Sequence, residues 1–408
     1  MKILFYNHTG TVSGAERVLM MILRGLDREA YECVLVCPPD SKMMALAKSA
    51  NVRTCELDQL EARFTWRMDR VCKYLASFGG VIRRARRIIK EERPELIHAN
   101  SIRAGLVMAA ASIRLKVPVV WHAHDILPFH PLSTLVRLVA LLTSRNRILA
   151  VSQAVASGFR GLLLRPFRQR VPVTVIHNSV DLDRFQPNEE GRKEIRSGLG
   201  LSDGQPVAGI VGQLTHRKGQ LELMRAFARV VQAMPAAVLL IVGEPLFNHD
   251  KAYARQLADA VESLNLKNNI LLLGARDDVP KLLQALDVLV VNSHQEPFAL
   301  TVLEGLASGI AVLATAVGGT PEMVKHRVNG WLVKSGDEHE LESGLVTLLS
   351  DRALRAKLGS QARVDAIARY SVLRYLADVF SLYREISIPN GSPQAENMRG
   401  FRVKLSAD

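Results

Sequence analysis

A short, valine-rich apolar run, broken by glycine or polar residues and followed by a helical pattern, recurs along this chain. The clearest instance begins at Leu286. The run Leu286 to Val291 stops at polar residues and Pro297, and apolar positions then recur at helical spacing from near Ala299. Leu300, Leu303 and Leu306/Ala307 fall on one face, Thr301, Glu304 and Ser308 on the other, and Gly309 suits the helix C-terminus. Unbroken apolar runs of this length read as strands of a parallel sheet buried on both faces, so the fold class is α/β. A chain of 408 residues exceeds one ordinary core and implies two domains.

In open α/β sheets, ligands bind beyond the carboxyl ends of the strands. Glu296 lies on such a strand-to-helix turn, and Glu304 just over one turn into the helix. The N–H groups of Ala299, Leu300 and Thr301 at that helix start suit an anion such as a phosphate. Carboxylates on either side repel a phosphate unless hydroxyls engage them, which fits a sugar nucleotide, whose phosphates lie between two polyol rings. Taken alone, a charged turn followed by a surface glutamate is the more ordinary reading.

The spacing Glu296–x7–Glu304, within the run Glu296-Pro297-Phe298 to Gly309, resembles the signature of the retaining GT-B glycosyltransferases of family 4, the glycosyl transferases group 1. Further segments resemble that family in order along nearly the whole chain. Gly14, in the first turn of a helix opened by the Ser13/Glu16 capping box, resembles the glycine loop facing the donor; a helix merely well capped is the local alternative. Histidines His122 and His124 end the strand Pro118–Trp121, and alignment by Pro118-Val119-Val120 gives the family's donor-sugar histidine to His124, with His122 as runner-up. Gly212 to Gly219 resembles the Gly-Arg…Lys-Gly element, with Gln213 in place of its arginine and with Arg217 and Lys218 supplying charge for a diphosphate. Arg276 lies in Gly274-Ala275-Arg276-Asp277, similar to the loop against which the family's nucleobase stacks. Ala299 and Ala311 stand where the family often has glycine and proline, and Ser179 where its Asn-Gly-Val-Asp junction has glycine.

The resemblance implies two Rossmann-like domains facing across a cleft. Residues 1–180 form the acceptor side, residues 181–370 bind the nucleotide sugar, a helix at about 371–388 crosses back to the first domain, and 389–408 form a flexible tail. It implies transfer of a glycosyl unit, with retention, from a nucleoside-diphosphate sugar to a glycan, lipid-linked or small-molecule acceptor, in cell-surface polysaccharide or glycolipid synthesis. Expected roles are the donor hexose for Glu296 and His124, ribose for Glu304, and the diphosphate for Lys218, Arg217, Gly212 and the helix start. No cofactor and no metal are expected, because the groups assigned to the phosphates are donors and cations. A GT-B-fold nucleotide-sugar epimerase and a non-catalytic donor-binding subunit are the alternatives.

The formal charge of +13 is unevenly spread: residues 1–185 hold 28 Lys and Arg against 15 Asp and Glu, and residues 186–408 hold 25 of each. The first half therefore meets or lies near something anionic. Aromatic residues are few and no nucleic-acid module is present, so an anionic membrane surface is preferred to nucleic acid. The basic segment contains Arg63, Trp66, Arg67, Arg70 and Lys73. On a helical wheel Arg83, Arg84, Arg86 and Arg87 then share one face, opposite Ile82, Ala85, Ile88 and Ile89. A lipid-docking amphipathic helix and an ordinary packing helix with a solvated face fit this equally. Cys33, Cys37, Cys55 and Cys72 show no metal-ligand spacing and read as thiols of a reducing compartment. The apolar start Met1–Phe5 is too short for a signal peptide, and the stretches around Gly105–Ile113 and Leu132–Leu142 are too short to span a bilayer. The expected location is the cytoplasm, peripheral on the inner face of the membrane.

Overall fold

The computed structural model describes residues 1–59, 68–128, 130–142, 145–160, 172–246 and 250–387. Arg63, Trp66, Arg67 and the tail 389–408 lie outside the described residues. The chain divides into two units, one formed by Met1–His177 with the chain from Leu373 onward, the other by Asn178–Val372.

Among the described residues, the first unit is built on seven parallel strands: β1 (Lys2–Tyr6), β2 (Glu32–Cys37), β3 (Arg53–Glu56), β4 (Leu96–Ala99), β5 (Val119–Ala123), β6 (Asn146–Ala150) and β7 (Val173–Val175). Their order is β3-β2-β1-β4-β5-β6-β7. Its central strands are buried along their whole length, as valine- and isoleucine-rich runs covered on both faces must be. The second unit repeats the plan with six strands among its described residues: β8 (Val207–Val211), β9 (Val238–Val242), β10 (Ile270–Gly274), β11 (Val288–Val291), β12 (Ala311–Thr315) and β13 (Trp331–Val333). The order here is β10-β9-β8-β11-β12-β13. In both sheets the strand order reverses beside the first strand, so β1/β4 and β8/β11 flank the topological switch points where such sheets hold ligands.

Several elements differ from the sequence reading. β3 carries no apolar run; it is a short edge strand, Arg-Thr-Cys-Glu, kept in place by pairing with β2. The polar stretch 186–205, read as a lead-in, contains a helix, Glu189–Gly198. Its Arg196 is fully buried, with Nη2 2.9 Å from Asp287 and Nη1 donating to the carbonyls of Ser202, Asp203 and Gln205. A buried guanidinium is tolerable only with its donors so engaged. The basic helix spans Met68–Glu92. Val81, Ala85 and Ile89 form its buried stripe, against the helix Ile102–Ser112, while Ile82 and Ile88 are only half-buried. The stripe recurs every four residues and packs within the protein, so these three side chains are not available to insert into lipid. Arg83, Arg84 and Arg87 are exposed and Arg86 half-buried.

The last helix, Val372–Ser387, belongs to the first unit from Leu373 onward. Its Phe380 ring lies 5.5 Å from Tyr31, and Tyr383 places its ring 6.5 Å from Phe5 and its hydroxyl 2.7 Å from His98 Nδ1. Among the described residues, no helix is long and apolar enough to cross a membrane.

Candidate functional site

In the second unit the chain leaves β8 at Gly212, whose φ is +149°. Gly243, at the end of β9, approaches it so closely that a Cβ there would lie 1.8 Å from the Gly212 carbonyl oxygen. A side chain at 243 would push these two turns apart, so the pair of glycines keeps the strand ends open and close. A single 3-10 turn, His216–Lys218, follows and ends at Gly219 in the left-handed region (φ +64°), with Asn292 Nδ2 donating to its carbonyl at 2.8 Å. His294 N–H donates to the Arg217 carbonyl at 2.9 Å. The turn after β8 is thereby tied to the turn after β11.

Lys218 Nζ lies 2.6 Å from Glu296 Oε2, Ser293 Oγ donates to the same oxygen at 3.0 Å, and Arg217 Nη1 stands 3.8 Å from it while donating to the Gln295 carbonyl at 3.0 Å. Glu296 is 5% exposed. Burial alone raises its pKa; the charges of Lys218 and Arg217 and the hydrogen bonds from Lys218 and Ser293 outweigh that and hold it below the usual carboxylate value. Its backbone is set by Gly319, whose N–H donates to the Glu296 carbonyl at 2.9 Å.

The helix after Glu296 runs Leu300–Ala307, with Ala299 as an N-cap that makes no side-chain capping bond. It begins beyond the carboxyl end of β11, and a helix N-terminus so placed favours an anion. Thr301 Oγ1 leans toward the Val211 carbonyl at 3.5 Å. The expected polar face is not solvated. Glu304 is 8% exposed and Ser308 is buried, alongside Val302, Leu303, Leu306 and Ala307. The helix is packed on nearly every side between β11 and the helix Arg352–Arg369, which periodicity alone does not reveal.

Gln213 donates through Nε2 to Asp250 at 2.8 Å, and its carbonyl accepts from the buried Gln220 at 2.9 Å. The two cations nearest Glu296 are therefore Lys218 and Arg217, and position 213 contributes no charge. Arg276, exposed at the end of β10, is held flat by a two-pronged bond to Asp278 at 2.8 and 2.7 Å. Among the described residues, no three His, Cys, Asp or Glu side chains converge to hold a metal ion.

In the first unit the switch point is lined by the ends of β1, β4 and β5. Gly14 is exposed in the first turn of the helix Gly14–Gly25, where Glu16 accepts from the Ser13 N–H at 2.9 Å and the Ser13 hydroxyl at 2.6 Å. His122 is fully buried, its Nδ1 3.2 Å from His98 Nε2. His124, half-buried, lies with its ring 3.9 Å from His122 and its Nε2 3.1 Å from Asn100 Oδ1. Burial lowers His124 and His98 to about 3 and holds His122 well below its ordinary value, so all three are neutral at physiological pH. Sequence reasoning missed Asn7 and Asn100, two fully buried asparagines bonded to each other, the second of them bonded to His124. A polar residue directly after a buried strand was the only signal for either.

Two family models match this chain. Residues 12–184 match Glycosyltransferase Family 4, and residues 191–365 match Glycosyl transferases group 1. The UDP-Gal:alpha-D-GlcNAc-diphosphoundecaprenol alpha-1,3-galactosyltransferase of Escherichia coli is 25% identical over 392 residues, covering 92% of this chain and 95% of that protein. The N-acetyl-alpha-D-glucosaminyl L-malate synthase of Bacillus anthracis is 22% identical, over 73% of this chain and 77% of its own length. Among solved structures, Anabaena Alr3699/HepE in complex with UDP superposes with a TM-score of 0.79 at 27% identity, covering 94% of this chain and 100% of that one. The same protein in complex with UDP-glucose superposes with a TM-score of 0.76.

Proposed function

Because the chain belongs to the group 1 glycosyl transferases of family 4 and has the GT-B fold, we propose that it moves a hexosyl unit, with retention of configuration, from a nucleoside-diphosphate sugar to a lipid-linked or glycan acceptor. The observation that carries this reading is the clustering of Lys218, Arg217, Glu296, the Gly212 turn and the N-terminus of the helix Leu300–Ala307 at the switch point of the second sheet. A diphosphate there meets two cations and a helix N-terminus, while carboxylates at Glu296 and Glu304 take the hydroxyls of the two sugars. A uridine nucleotide is the first choice of donor, since Alr3699/HepE binds UDP and UDP-glucose and is similar over nearly the whole chain.

Glu304 then holds the ribose, Glu296 the donor hexose, Arg276 the base, and His124 a hydroxyl of the donor sugar. In front-face transfer the bond from the anomeric carbon to the diphosphate oxygen breaks as the acceptor oxygen bonds to the same face. The acceptor's proton passes to the departing diphosphate. Lys218 and Arg217 serve this step by stabilising the negative charge growing on the leaving group. Lipid-linked acceptors are favoured by the charge of the first half, and the exposed arginines of the helix Met68–Glu92 would bring it to an anionic surface.

A thermal-shift screen over UDP-, GDP- and ADP-sugars, followed by radiolabelled transfer to a polyprenyl-diphosphate glycan, tests the proposal. A ligand that binds only the folded state raises the melting temperature, by about 2.7 kcal/mol of stabilisation at a hundredfold excess over Kd. A shift with UDP-sugars and transfer of label is expected. No shift with any nucleotide sugar would overturn the assignment.

A further inference from the structure

His124 is held by a chain of hydrogen bonds whose direction is forced at every step. Asn7, at the end of β1, donates through Nδ2 to the Thr9 carbonyl at 2.7 Å. A carbonyl only accepts, so the Asn7 amide has one orientation and presents Oδ1 to Asn100, at the end of β4. Asn100 Nδ2 donates to that oxygen at 3.0 Å and to the Ala15 carbonyl at 3.3 Å. Its remaining atom, Oδ1, faces His124 Nε2 at 3.1 Å. An amide oxygen needs a proton from its partner, so the single proton of the neutral imidazole sits on Nε2. The other ring nitrogen, Nδ1, is left as a lone pair.

We propose that Asn100, itself locked by Asn7, is a positioning residue: it holds His124 in the Nε2–H tautomer and so makes Nδ1 an acceptor for a substrate hydroxyl. A sugar hydroxyl is the fitting partner, because it can donate to the ring nitrogen while accepting elsewhere. Had the proton been on Nδ1, His124 would offer that hydroxyl a donor instead, and Asn100 Oδ1 would be buried against a second acceptor. The ring packed against His124 is His122, which is bonded to His98, and His98 to Tyr383. Burial keeps the three uncharged near neutral pH.

The inference rests on the reading of His124 as a donor-sugar contact, and two readouts separate the two ideas. Long-range proton–nitrogen correlation on the 15N-labelled full-length protein, with His124 assigned by its loss in His124→Asn, reports the tautomer without any substrate. The expected result is Nε2 protonated and Nδ1 unprotonated in the wild type, and a mixture of tautomers in Asn100→Ala. Nδ1 protonated in the wild type would overturn the proposal whether or not Asn100→Ala folds. In kinetics, His124→Ala and Asn100→Ala should both lower kcat/KM for the donor, the second by about tenfold, the loss expected for one hydrogen bond. A strong effect of His124→Ala with none from Asn100→Ala would remove the positioning role and keep the sugar contact. No effect from His124→Ala would remove both roles, leaving only the tautomer as measured.

Discussion

With its ammonium 2.6 Å from Glu296 Oε2 and the Arg217 guanidinium 3.8 Å from the same oxygen, Lys218 is the residue on which the second unit's charge balance turns. In Lys218→Ala the buried Glu296 loses its nearest cation, and burial then raises its pKa. Turnover should fall by roughly a hundredfold or more, the usual loss when a donor to the developing charge is removed. The pH dependence has a definite sign. Glu296 is depressed in the folded protein, so its contribution to stability is present above the unfolded carboxylate pKa and is lost as pH falls through the folded one. The melting temperature of Lys218→Ala should therefore lie well below wild type at neutral pH and converge on it in acid. A gap that does not change with pH would remove the coupling. At this scale the residue types were legible and their partners were not. Lys218-Gly219 and Glu296 stand out in the sequence, but they are 78 positions apart, and the 2.6 Å contact exists only because β8 and β11 are neighbours.

The helix Met68–Glu92 shows how far periodicity carries at the next scale. Its arginine face was legible, because exposed and buried positions separate at a period near 3.6. What the opposite face packs on was not. Val81, Ala85 and Ile89 are spent on the helix Ile102–Ser112, so the lipid contact expected here is electrostatic, through Arg83, Arg84, Arg86 and Arg87. Changing these four to glutamine should abolish most co-sedimentation with anionic liposomes, at about 1 kcal/mol for each arginine at the surface. Wild-type binding should weaken as salt shortens the screening length. Equal binding to neutral vesicles would sink this idea. Two elements escaped the sequence for opposite reasons. β3 is polar because it is an edge, and the helix Glu189–Gly198 reads as solvated although its Arg196 is buried.

Across the whole molecule, two sheets of the same central order each place a glycine-bearing turn and a polar cluster at the switch point. The groups expected around the diphosphate in the second unit are cations and main-chain donors. Transfer is therefore expected to survive exhaustive EDTA treatment, and added Mg²⁺ should not restore Lys218→Ala. Metal-dependent transferases instead hold Mg²⁺ or Mn²⁺ on convergent carboxylates. Activity lost to EDTA and regained with Mn²⁺ would mean that the phosphate site has been assigned to the wrong residues.

The sequence by itself determined the α/β class, most of the strands, the Glu296–x7–Glu304 spacing and the excess of positive charge in the first half. Each of these is carried by residues near one another in the chain, where spacing, turn glycines and composition act. Only the tertiary structure decided which strand ends meet, that Glu304 is buried on a helix read as amphipathic, and that Lys218 neutralises Glu296. It also decided the proton position on His124, through Asn7 and Asn100, which lie 93 residues apart. Burial and hydrogen-bond direction belong to pairs of residues brought together by strand order, and strand order is not written in any local pattern.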